Sequence, residues 1–197
     1  MVKVHPSVSG RLREFVDSQK MFFVATAPLA RDGRVNVSPR GIPGTFRVLD
    51  EHTFAWLETS GSGSETIAHL RENGRVTVMF CAFEGAPNIV RFHGQGRIVT
   101  RYDDEYVLLE PLFVDLPGAR AVVVVDIERV SDSCGYGVPL MDYVGERELL
   151  QSYFGRQGVE GSADYRRRKN RTSIDGLPAY DFDPPVEPPV EPAVESS

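Results

Sequence analysis

The 197-residue chain is 41% apolar and 25% charged, a balance ordinary for a soluble globular protein. No stretch approaches the roughly 20 apolar residues of a membrane helix, and Met1-Val2-Lys3-Val4-His5-Pro6 carries no apolar leader. Two cysteines, Cys81 and Cys134, are too few for a disulfide scaffold or a cysteine zinc site.

These features predict a cytoplasmic protein that does not span a membrane. The net charge of −6 is unevenly placed. All 22 Lys and Arg lie at or before Arg171, together with 22 of the 28 acids, so residues 1–171 are neutral. A neutral body argues against nucleic acid or an anionic membrane as partner. Arg outnumbers Lys 19 to 3, so an anion site is expected to be built from Arg forks.

In chain order, Ser7–Gln19 reads as a helix, with Val8, Leu12, Phe15 and Val16 on one stripe. The period then shortens to strands. Met21–Ala27 and Arg34–Ser38 flank Ala30-Arg31-Asp32-Gly33, and Asp-Gly is a hairpin signal. Gly44–Leu49 and Thr53–Leu57 form a second hairpin around Asp50-Glu51-His52.

A short helix follows over Ser64–Asn73. Its start, Ser62-Gly63-Ser64-Glu65, matches a capping box, and Gly74 stops it. Arg75–Phe83 and Asn88–Thr100 are strands. The latter places Val90, Phe92, Gly94, Gly96 and Ile98 on one face and Arg91, His93, Gln95 and Arg97 on the other. Asp103–Glu110 reads as helix, Ala121–Val130 as a strand buried on both faces, and Glu146–Arg156 and Ser162–Asn170 as helices.

The domain is expected to end at residue 182. Residues 183–197, dominated by Pro184-Pro185-Val186-Glu187 and its degenerate repeat, read as a disordered tail. Hairpin-linked strands without βαβ alternation indicate an antiparallel barrel or sandwich.

Nucleotide, zinc-protease and serine-hydrolase motifs are absent: no GxGxxG, Walker loop, HExxH or GxSxG. The histidines have no ligand-like spacing, His69 reads as a surface or partly packed helix residue, and Cys81 as a buried small hydrophobe. Four features remain, each with two readings. Thr59-Ser60-Gly61-Ser62-Gly63-Ser64-Glu65-Thr66 leaves a strand and enters a helix. It is either an anion cradle of N–H groups and hydroxyls or an ordinary capped turn. Val35-Asn36-Val37-Ser38-Pro39-Arg40-Gly41 is either a ligand-facing strand end or a strand terminator. Arg47 and Arg91, in mid-strand, either bind an anion or face water. Ser133–Pro139 is a tight turn able to pack on a ring or a plain connection. The run Arg166-Arg167-Arg168-Lys169 reads as a solvated helix face.

The order of these pieces from Met21 to Val130 resembles the pyridoxamine 5'-phosphate oxidase-like family. The N-terminal helix, Phe22-Phe23-Val24-Ala25-Thr26, the Asp-Gly hairpin, Val35–Gly41, Thr45–Leu49, Phe54–Leu57, the Ser/Gly turn with its helix, Arg75–Phe80 and the long strand to Val99 all take part. The resemblance implies a mainly β fold with flanking helices, the antiparallel split β-barrel that binds FMN. It also implies a homodimer with flavin at the subunit interface and an oxidoreductase acting on a small-molecule substrate.

Carried over by position, Arg47 meets the flavin phosphate, Ser60, Ser62, Ser64 and Thr66 form the phosphate turn, Ser38, Pro39 and Arg40 border the ring, and Arg91 faces the cofactor from its strand. Glu65 and Thr66 stand where oxidase members carry basic residues, and the C-terminal Arg-x-His signature is missing, so vitamin salvage is not implied. The alternatives are a flavin- or haem-binding split barrel without turnover and a deazaflavin-dependent reductase.

Overall fold

The computed structural model describes residues 2–184; of the Pro/Glu tail expected over 183–197, residues 185–197 lie outside the described residues. Eight strands run β1 (Lys3–His5), β2 (Phe22–Thr26), β3 (Asn36–Arg40), β4 (Phe46–Asp50), β5 (Thr53–Thr59), β6 (Arg75–Cys81), β7 (Ile89–Thr100) and β8 (Ala119–Ser133). Helices are α1 (Gly10–Ser18), α2 (Glu65–Asn73), α3 (Tyr106–Leu109, continued by a 3-10 turn) and α4 (Leu149–Lys169).

The sheet order is β3-β2-β6-β7-β8-β5-β4, all neighbours antiparallel, and β1 pairs with β8. β1 has only three residues, two of them exposed, too short a run to show a period in the sequence.

β3 and β4 are the two free ends of this path, yet Phe22 of β2 meets Phe46 of β4 with ring centroids 4.9 Å apart. The sheet therefore curls until its ends face each other without pairing, which is an open, split antiparallel barrel. Alternation fills it. Phe22, Phe54, Trp56, Phe80 and Phe92 point inward with Val24, Val78, Val90, Val123 and Val125. Val8, just ahead of α1, and Val16 within it stopper one end, and Arg13 of α1 donates to the Val48 carbonyl at 2.8 Å. On the outside, α3 and the chain to Leu116 cover Ala55, Leu57, Val122 and Val124. α2 packs Ile67 and Ala68 against Ala121, Ala179 and Tyr180.

Two irregularities aim side chains. At the first, His93 pairs Arg129 and Gly94 pairs Ile127, leaving Glu128 as the extra residue. A Cβ on Gly94 would lie 2.0 Å from the Asp126 carbonyl oxygen, so only glycine fits there. At the second, Glu58 pairs Ala121 and Thr59 pairs Ala119, leaving Arg120 unpaired. A bulge re-aims the residue it frees, and Arg120 turns in beside Glu58.

The two helices expected near the C-terminus are present as the two halves of α4, which kinks at Gly158 with φ +65°. Three expectations change. The 103–110 helix shrinks to Tyr106–Leu109. His69 is fully buried, because the side of α2 that carries it packs on the sheet. Arg166 is not solvated: it is buried against Asp183, so packing continues one residue past the expected boundary at 182. Among the described residues no helix is long and apolar enough to cross a membrane.

Candidate functional site

A cavity of about 360 Å³ opens at the split. One wall is β3 and the chain after it, with Asn36, Ser38, Pro39, Arg40 and Thr45. The other is the end of β5 and the turn Ser60–Ser64 with Glu65 and Thr66. Of the residues singled out in the sequence, Ser38, Pro39, Arg40, Ser60, Ser62, Ser64 and Thr66 meet here. Arg47 and Arg91 do not line it. Arg47 is exposed on edge strand β4, its guanidinium 5.7 Å from the centre of the Phe113 ring. Arg91, on β7, donates to Ser133 Oγ at 3.2 Å.

The floor is a buried ionic cluster absent from the sequence reading. Phe54, Trp56 and Glu58 alternate inward along β5, so the third inward position carries a carboxylate. Glu58 accepts both Nε and Nη2 of Arg40 at 3.0 Å, Nη2 of Arg120 at 3.0 Å and the Trp56 indole N–H at 2.7 Å. Burial alone would raise its pKa, but the charges of Arg40 and Arg120 and the hydrogen bonds from Arg40 and Trp56 hold it down to about 2. Burial lowers the Arg120 pKa, with Glu58 opposing. Nε and Nη1 of Arg120 are buried without a partner. The Arg40–Glu58 pair spans the gap between β3 and β5 and so fixes the width of the split. A single Glu in a strand gives no sign of this in the sequence; the bulge that brings Arg120 is a tertiary event.

The expected capping box is not formed. Ser64 is the N-cap, but no side chain caps the helix, and Ser64 Oγ instead donates to the Thr172 carbonyl at 2.9 Å. Glu65 accepts the Ser64 N–H at 3.1 Å and the Ile174 N–H at 3.2 Å. The C-terminal segment reaches this turn and competes for its groups, which a local motif cannot anticipate. Thr66 Oγ1 accepts from Asn36 Nδ2 at 3.0 Å, and Ser60 Oγ from Arg166 at 3.4 Å.

The Ser62 hydroxyl stays exposed. Among the described residues no group accepts from the N–H of Gly61, Ser62 or Gly63. Ser38 Oγ is buried with no partner. The site therefore offers backbone donors at the start of α2, two unengaged hydroxyls and one guanidinium on a neutralised floor. This set can hold an anion at one end and a polar ring edge at the other.

The pyridoxamine 5'-phosphate oxidase family profile matches residues 8–134. A pyridoxamine 5'-phosphate oxidase family protein of Aspergillus flavus, ustO, is 39% identical over 190 residues, spanning 88% of this chain and 76% of that protein. A crystal structure of a histidine-to-alanine variant of HupZ from Group A Streptococcus superposes with a TM-score of 0.50 at 20% identity, covering 64% of this chain and 99% of that one. A structure described as a FAD-binding protein of Mesorhizobium loti gives 0.47 at 16% identity, covering 67% and 96%. The chain belongs to the pyridoxamine 5'-phosphate oxidase family.

Proposed function

We propose that this member of the family is a flavin-dependent oxidoreductase that uses FMN, on a small-molecule substrate, as a homodimer. The observation that carries the reading is the cavity at the split: unengaged N–H groups of Gly61, Ser62 and Gly63 at one end, unpartnered Ser38 Oγ and Arg40 on the other wall. The residues fit the group. Ser62 and the N–H groups beside α2 would hold its phosphate, while Ser38, Pro39 and Arg40 would border its ring. Bound there, the flavin supplies hydride or single-electron transfer.

The chain's own residues bind, orient and shield. Glu58 is locked in its ionised form by two guanidiniums and so moves no proton. Glu65 is held by two backbone N–H groups. Among the described residues no acid or base without a protein partner lines the cavity, which suits a cofactor that carries the redox chemistry itself. None of the lining residues is His, Cys, Met or Tyr, so this wall supplies no axial ligand for haem. Val35 and Val37, exposed on the outer side of the β2–β3 hairpin, offer an apolar surface for a second copy.

The test is the visible spectrum of the purified protein with extraction of any chromophore, followed by titration with FMN and reduction by a nicotinamide. A yellow protein that is reduced and reoxidised supports the reading. A colourless protein that takes up no added flavin overturns it. Bound flavin that no nicotinamide reduces favours a binding module.

A further inference from the structure

Resting on the phosphate placement above, we infer that Asn170 is a positioning residue for the anion turn, acting from behind it. Residues 166–183 form a strap outside the stretch that the family profile matches. The strap meets the turn at three consecutive points. Arg166 Nη1 donates to Ser60 Oγ at 3.4 Å, Asn170 Nδ2 donates to the Gly61 carbonyl at 2.8 Å, and the Thr172 carbonyl accepts from Ser64 Oγ at 2.9 Å. No residue of the strap lines the cavity, whereas Gly61, Ser62 and Gly63 all do. The strap is therefore on one side of the turn and the cavity on the other.

In a trans peptide the C=O and the following N–H point in opposite directions, and the described residues contain no cis bond. Holding the Gly61 carbonyl back toward Asn170 thus turns the Ser62 N–H forward into the cavity. Arg120 Nη2 grips the Gly63 carbonyl at 3.1 Å and restrains the turn two residues later.

Asn170 is itself well anchored. It is fully buried, its N–H donates to the Arg166 carbonyl and its C=O accepts from the Tyr180 N–H, both at 2.8 Å. Its Oδ1 is buried with no partner. The amide is thus set for its bond to Gly61, while its other end goes unsatisfied.

The experiment compares FMN with riboflavin, which lacks the phosphate, on the full chain and on Asn170→Ala. Asn170→Ala is expected to weaken FMN by about tenfold, the size of one lost hydrogen bond to an anion, with riboflavin affinity little changed. An equal loss for both ligands, or no loss for FMN, overturns the positioning role. A wild-type chain that binds neither ligand overturns the flavin reading itself, and one that binds both equally well overturns the phosphate placement. Should Asn170→Ala not fold, the amide resonance of Ser62 in the wild type decides. It is expected to shift with FMN and not with riboflavin, and a Ser62 amide unmoved by FMN rejects the inference.

Discussion

Along β5, two stretches face the same interior with opposite chemistry. Phe54 and Trp56 sit in an aromatic cluster: Phe54 lies 5.3 Å from Phe22, 5.6 Å from Phe80 and 5.8 Å from Phe92, all three contacts edge-on and within the favourable range. Two residues beyond Trp56, Glu58 sits in a cage of two guanidiniums and an indole N–H. The aromatic stretch is stabilised by area removed from water and by close packing, and any large side chain of the right shape contributes. The ionic stretch is stabilised only while every partner is present, since an uncompensated buried charge is costly. One strand thus passes from a tolerant core to an all-or-none corner within four residues, and the cavity lies at the corner.

The largest effect is expected from opening the aromatic stretch. Phe54→Ala should lower unfolding free energy by about 3–5 kcal/mol in urea titration, with FMN binding retained at low temperature; a loss under 1 kcal/mol would mean that the ring cluster is loosely packed.

Next comes the corner. Glu58→Gln leaves the buried Arg120 without its counter-charge and should cost about 3 kcal/mol. Replacing both Glu58 and Arg120 by Met should cost less than the two single changes added together. Additive losses in that double-mutant cycle would break the picture of one coupled unit.

The same corner sets an acid limit. The Glu58 pKa is depressed from the ordinary 4.5 to about 2, so its contribution is complete above the unfolded value and is lost as pH falls through that window. Acid unfolding followed by circular dichroism should show a stability slope between these values that Glu58→Gln lacks.

The smallest effect belongs to the surface. Arg97 and Glu105 meet at 2.6 Å but are about half exposed, so Glu105→Gln should shift stability by no more than about 0.5 kcal/mol. A shift as large as that of Glu58→Gln would erase the distinction between paired charges in water and paired charges in the corner.

The strands themselves, their antiparallel joining and the hydroxyl-rich turn before α2 were largely legible in the sequence, whereas the strand order and the inward aromatic row were not. The alternation of β7 and the Asp-Gly hairpin are local patterns with a period of two. Ser38, Pro39, Arg40 and the Ser/Gly turn were placed at one site by the family resemblance alone, and they share one cavity. Arg47 and Arg91 were singled out because Arg is costly inside a strand, but that cost vanishes when the residue faces outward, as Arg47 does. The cost was in fact met at Arg120 and Arg166, which looked unremarkable beside a turn and within a basic run.

What this chain settled by itself is whatever depends on neighbours a few residues away: strand and helix periods, the stop at Gly74, the hydroxyl-rich entry to α2. Tertiary structure decided which buried groups meet. The bulge that turns Arg120 onto Glu58 and the strap that brings Asn170 to Gly61 join residues 62 and 109 positions apart. Such pairings depend on how the sheet curls and where the last helix returns, and a hydrogen bond between distant residues leaves no period in the sequence for a reader to find.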